Sequence, residues 1–122
     1  MVLYLYYMKI NTLLICSFFF SFIGFSQVQI GNDINGLNTN DAFGWSVAVS
    51  GDGQTIVAGA PNSFINGDSS GQVQVYQFDG MNWMQLGNSL NAFAESDNAG
   101  RSVDITEDGT TIVIGLLGYS LA

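Results

Sequence analysis

The sequence predicts an all-β fold assembled from antiparallel units of four short strands. Three observations carry that expectation. Apolar and polar residues alternate at period two in several short runs, Gly, Asn, Asp and Ser recur between those runs, and a long stretch of the chain is present twice. No amphipathic window at helical spacing interrupts the pattern after residue 26.

The duplication is the most specific of the three. Displacing the chain by about 56 residues lays residues 29–60 over residues 85–116 without a gap, and close to half of the aligned positions are identical. Asp41 and Gly44 fall on Asp97 and Gly100, Ser46-Val47 on Ser102-Val103, Asp52-Gly53 on Asp108-Gly109, and Thr55-Ile56-Val57 with Gly59 on Thr111-Ile112-Val113 with Gly115. A first unit therefore runs from about residue 29 to 84 and a partial second unit from about 85 to 116. The spacing fits four short strands per unit, as in the blades of a β-propeller.

Each strand has its own signal. Trp45-Ser46-Val47-Ala48-Val49 alternates larger and smaller side chains, Ser50-Gly51-Asp52-Gly53 supplies turn residues, and Thr55-Ile56-Val57-Ala58 is a second run rich in β-branched residues. Those pieces make a hairpin. A polar loop over residues 62–71 leads to Gln72-Val73-Gln74-Val75-Tyr76-Gln77-Phe78, which alternates strictly; Asp79-Gly80 is a turn, and Trp83-Met84-Gln85-Leu86 closes a second hairpin. The expected core positions are Val47, Val49, Ile56, Val73 and Val75, with Val103, Ile105, Ile112 and Ile114 in the second unit.

The N-terminal quarter reads as an address. Met8-Lys9 precedes an apolar run over residues 10–25 that ends at Gly24-Phe25-Ser26, with small residues where a signal peptidase needs them. Residues 1–26 are thus expected to be a secretory signal with translation starting at Met8, leaving residues 27–122 as the mature chain. A retained membrane anchor is the alternative reading, because the apolar run approaches the roughly 18 to 20 residues that span a bilayer. The single cysteine, Cys16, lies in that segment, so no disulfide is expected in the mature chain.

Composition closes off several functions. The 122 residues include 2 Lys plus Arg, 10 Asp plus Glu and no His, for a net charge of −8. Nucleic-acid binding is excluded because phosphates require clustered cations. The usual general base near neutral pH is missing, and the sequence holds no Gly-x-Ser-x-Gly elbow and no phosphate-binding loop. The carboxylates of Asp104, Glu107 and Asp108 read as a solvated edge around a turn, and Trp45, Tyr76, Phe78 and Trp83 as packing aromatics or a carbohydrate-stacking surface. The expectation is a chain that is not an enzyme.

Phe43-Gly44 and Gly59-Ala60-Pro61 spell both halves of the motif that names the FG-GAP repeats, and the chain resembles that family over nearly all of residues 27–116. In the second unit Ala99-Gly100 replaces Phe-Gly and Leu116-Leu117 replaces Ala-Pro. The resemblance implies the blade of an integrin α-type β-propeller, and the stretch from Ser46 to Gly53 is similar to the family's bacterial secreted and surface branch. It implies structural roles for Phe43, Gly44, Asp52, Gly53, Gly59, Ala60 and Pro61, and for Gly100, Asp108, Gly109 and Gly115.

Some integrin-type blades bind calcium through an Asp-rich loop, but here that loop has shrunk to Ser50-Gly51-Asp52-Gly53 and Thr106-Glu107-Asp108-Gly109, too few carboxylates for the six to eight oxygens calcium takes. Asn66-Gly67-Asp68-Ser69 reads as a solvated turn. No cofactor is expected. The implied function is a non-catalytic extracellular module for adhesion, ligand binding or scaffolding, secreted or at the cell surface, with binding residues on the loops 62–71 and 88–98. Its expected partner is an extracellular protein or glycan, with no membrane insertion after cleavage. An accessory domain of a secreted enzyme is the alternative. With about one and a half blades against the four to eight that close a ring, the chain is expected to be a piece of a larger propeller and to self-associate through exposed edges.

Overall fold

The computed structural model describes residues 27–118, and among them every regular element is a strand. These are β1 (Ser46–Val49), β2 (Thr55–Ala60), β3 (Gln72–Phe78), β4 (Trp83–Gln85), β5 (Leu90–Asn91), β6 (Ser102–Ile105) and β7 (Ile112–Gly115). The fold is all-β, as the alternation predicts. The signal segment 1–26 and Cys16 lie outside the described residues, and no helix among the described residues is long and apolar enough to cross a membrane.

Strands β1 to β4 form an antiparallel meander in chain order, β5 also pairs with β3, and β6 and β7 form a separate antiparallel pair. The fourth strand is interrupted. β4 pairs with residues 76–78 of β3 and β5 with residues 72–73, so residues 83–91 follow one edge of β3 with a break at 86–89. The break is held in place by the Leu86 amide, which donates to the Val75 carbonyl at 2.8 Å. β5 escapes a reading by alternation because a two-residue strand has no period.

The two N-terminal hairpins of the units are copies in register as well as in sequence. Ser46 pairs with Gly59 and Val49 with Ile56; Ser102 pairs with Gly115 and Ile105 with Ile112. Left-handed backbone recurs at Asn40 and Ser96, at Ala42 and Asn98, at Gly44 and Gly100, and at Gly53 and Gly109. The turns share their main bonds. The Ser50 hydroxyl donates to Asp52 Oδ1 at 2.6 Å and the Thr106 hydroxyl to Asp108 Oδ1 at 2.5 Å, while the same carboxylate oxygens accept the amides of Gln54 and Thr110.

Side chains directly opposite in an antiparallel pair share a face. One face of the first sheet therefore carries Ser46, Val57, Gly59 and Val73, and the other carries Val47, Val49, Ile56, Ala58, Gln74 and Tyr76. The second hairpin lies against the first of these faces. The Ser46 hydroxyl donates to the Gly100 carbonyl at 2.7 Å, and a Cβ on Gly100 would come within 2.8 Å of the Gly59 Cα and 3.0 Å of Val73 Cγ2. Val57 and Val73 are fully buried there, each contributing about 1.5–3 kcal/mol of apolar burial.

Two of the expected core positions are corrected. Val47 and Val49 are exposed, because they lie on the face of β1 turned away from the second hairpin. Val73 is buried as expected, and Ile56, Val75, Val103, Ile105, Ile112 and Ile114 are half-buried. On the face shared with Val47, the β3 end is closed by polar side chains satisfying one another. The Tyr76 hydroxyl donates to Gln74 Oε1 at 2.7 Å, Gln74 Nε2 to Gln72 Oε1 at 3.2 Å, and Gln72 Nε2 to Asn91 Oδ1 at 2.8 Å. Gln72 and Gln74 can be buried because the ladder replaces their water contacts.

Candidate binding loops

The two halves of the Phe-Gly and Gly-Ala-Pro motif meet in space. The Gly44 amide donates to the Gly59 carbonyl at 2.9 Å, the Phe43 amide to Asp41 Oδ1 at 2.9 Å, and the Phe43 ring meets Tyr76 edge-on at 6.4 Å. Gly44 has φ of 81°, a conformation that favours glycine. Gly59 is constrained differently: a side chain there would run into the Gly100 carbonyl of the second hairpin. Ala60 and Pro61 are buried at the end of β2, where the strand stops and proline has no amide to donate. Gly44 and Phe43 thus link β1 to β2 and β3, and Gly59 lies at the contact with the second unit.

Asp52 and Asp108 are engaged in their own turns. Hydroxyl and amide donors favour their charged forms, so the Ser50 hydroxyl followed by the Gln54 amide holds Asp52 below 3.8, and the Thr106 hydroxyl followed by Thr110 does the same for Asp108. Gly53 and Gly109 turn the chain with φ of 70° and 71°. Gly115 takes the place of Gly59 in the second hairpin, but a side chain there would first meet the Ser102 hydroxyl of its own partner strand. Among the described residues no three His, Cys, Asp or Glu side chains group as a metal site. Of the loop 66–69, the Asn66 side chain donates to the Ala92 carbonyl at 2.6 Å.

Of the aromatics weighed as a stacking surface, Phe78 and Trp83 meet and Tyr76 is withdrawn into the interior. Tyr76 is buried, Phe78 and Trp83 pair at 5.1 Å, and the Trp83 indole donates to the Ile30 carbonyl at 3.0 Å, pinning the segment before β1. Trp45 stands exposed at the start of β1.

What the structure does bring together is the pair of loops 62–71 and 88–98. The Ser96 amide donates to the Asp68 carbonyl at 2.9 Å, the Asn98 amide to Ser69 at 2.9 Å, and the Ala99 amide to Ser70 at 3.0 Å, while the Ala92 amide reaches Gly71 at 3.3 Å. Gly71 and Ala99 form a parallel bridge. A stitched backbone of this kind holds its side chains at fixed spacing. Phe64, Ile65 and Phe93 are exposed on these loops, Phe93 with 97% of its surface open to solvent, and the same two loops carry the exposed acidic residues Asp68 and Glu95. These three apolar residues carry no periodic sequence signal, since Phe64-Ile65 is an isolated pair and Phe93 lies between Ala92 and Ala94.

The family model described as the FG-GAP repeat matches residues 35–76, a segment that contains both halves of the motif, β1, β2 and most of β3. That segment is similar to the repeat, and FG-GAP repeats generally occur in extracellular or surface proteins. No curated protein and no solved structure matches the chain.

Proposed function

We propose that the chain is a non-catalytic extracellular recognition module whose binding surface is the stitched loop pair 62–71 and 88–98. One observation carries the reading: Phe64, Ile65 and Phe93 are held exposed on a backbone fixed by hydrogen bonds between the loops. Aromatic anchors on a preorganised surface lose little entropy on binding and dominate recognition energetics. The acidic neighbours Asp68 and Glu95 favour a partner with a neutral or basic face, as an extracellular protein or a glycan bearing amines offers. The repeat itself supports adhesion or scaffolding, because its motif residues are spent on joints between strands and leave the loops free to vary.

The test is a binding screen of the full chain against cell-surface glycans and matrix proteins, repeated with Phe64→Ala and Phe93→Ala. Capture by the parent chain with at least tenfold weaker capture by the variants is the expected result. Capture that ignores both substitutions, or no capture at all, sinks the proposal.

A further inference from the structure

Asn66 and Gly67 form an Asn-Gly pair within the loop 62–71. Asn66 Nδ2 donates to the Ala92 carbonyl at 2.6 Å, and among the described residues this is the one side-chain hydrogen bond that joins the loops 62–71 and 88–98. Gly67 has φ of 110°, a conformation that favours glycine, so the path of the loop itself places a glycine after this asparagine. The Gly67 amide makes only a long contact of 3.5 Å with the Phe64 carbonyl, and both residues of the pair are exposed. Both loops run between described strands, so the contact is internal to the chain.

We propose that Asn66 is a site of spontaneous deamidation and that its conversion unlocks the loop pair. Water is the only co-reactant. The Gly67 amide nitrogen gives its proton to solvent base and attacks the Asn66 Cγ; the Cγ–Nδ2 bond breaks, and ammonia leaves after taking up a proton. Water then opens the cyclic imide at either carbonyl to give aspartate or isoaspartate, with nothing oxidised or reduced. A glycine amide suits this attack because no Cβ crowds it. While Ala92 holds Nδ2, the side chain is restrained from turning Cγ toward Gly67, so the loops must part before the reaction proceeds. Afterwards a carboxylate, which has no hydrogen to donate, faces the Ala92 carbonyl where the amide donor stood. Gly67 sits against Glu95, where a Cβ would come within 3.0 Å of the Glu95 Cβ, and the new charge is repelled there. Isoaspartate also adds a methylene to the backbone and displaces the carbonyls of residues 68–70 from the amides of Ser96, Asn98 and Ala99. Opening is therefore one-way. Its consequence for recognition rests on the binding role proposed for these loops; the chemistry and the unlocking do not.

In the test, the full chain, purified as the host delivers it, is aged at mildly alkaline pH, folded and in urea. Acid at each asparagine is read by peptide mass spectrometry, with Asn35-Gly36, the other Asn-Gly pair, as internal clock. Asn66 is expected to convert in the folded chain, several-fold more slowly than in urea. Hydrogen exchange is expected to show the amides of Ser96, Asn98 and Ala99 losing protection several-fold as conversion proceeds. Asn66→Asp should show that loss at once while the amides of β1 to β3 stay protected, and Asn66→Gln, whose longer side chain cyclises far more slowly, should age without it. The proposal is overturned by an Asn66 that outlasts many unfolded half-lives, by conversion as fast folded as in urea, or by an Asn66→Asp chain with full protection at 96–99. Loss that spreads to β1 to β3, or that appears in aged Asn66→Gln, overturns it too. A chain that captures no partner sinks the recognition reading and leaves these readouts unchanged.

Discussion

Val57 and Val113 occupy the same place in two hairpins of the same register and related sequence, yet one is enclosed and the other faces solvent. Strand geometry alone does not create a core here. The hairpin supplies two usable faces, and the neighbouring unit decides which becomes interior. Turn chemistry behaves in the opposite way: Ser50 with Asp52 and Thr106 with Asp108 make the same bonds in both units, because those contacts are local and need no neighbour.

The sharpest way to break this comparison is at its paired glycines. Gly59→Ala presses a methyl group on the Gly100 backbone, which cannot rotate away, and is expected to cost roughly 1–3 kcal/mol or more; Gly115→Ala meets a rotatable Ser102 hydroxyl and is expected to cost well under half as much, both read by urea unfolding. Equal losses would show that the units are not held by that joint. Next in size, Val57→Ala removes buried methyl groups and is expected to lose about 1–2 kcal/mol, against less than about 0.5 kcal/mol for Val113→Ala.

Acid should act on both units alike. Asp52, Asp79 and Asp108 have folded values held below the ordinary 3.8, so their contribution is complete above the unfolded carboxylate range and is lost as pH falls through the folded values. Thermal midpoints should drop on acidification, and Asp52→Asn or Asp108→Asn should each flatten that drop by a similar amount. A flattening seen in one unit alone would contradict the local nature of the turns. Smallest of all, Phe64→Ala and Phe93→Ala should leave stability within about 0.5 kcal/mol, since neither ring is enclosed by either unit.

The same division explains what could be read in advance. The duplication, both hairpins, the Asp-Gly turns and the strand β3 were legible because each depends on neighbours in sequence. Which face of β1 is interior was not legible: alternation assigns Val47 and Val49 to a common face but says nothing of where the next unit stands. Gln72 and Gln74 are absent from the expected core positions, yet they are interior because they pair with each other, Tyr76 and Asn91. The loops 62–71 and 88–98 were recognisable as loops, but their stitching uses backbone atoms that every sequence shares.

The stitching also fixes where the chain can be divided. By sequence the second unit starts near residue 85, yet Gln85, Leu90 and Asn91 pair with β3, and the amides of Ser96, Asn98 and Ala99 are bonded to carbonyls at 68–70. A graft or truncation made at the sequence boundary would strip the first sheet of β5 and the end of β4 and leave the carbonyls of residues 68–71 without their partners. A transplantable piece of this protein begins before Asp41, whose carboxylate orders the Phe43 turn, and extends at least through Gly100. The natural module for engineering therefore straddles the repeat, taking the tail of its partner from the segment that sequence assigns to the next copy.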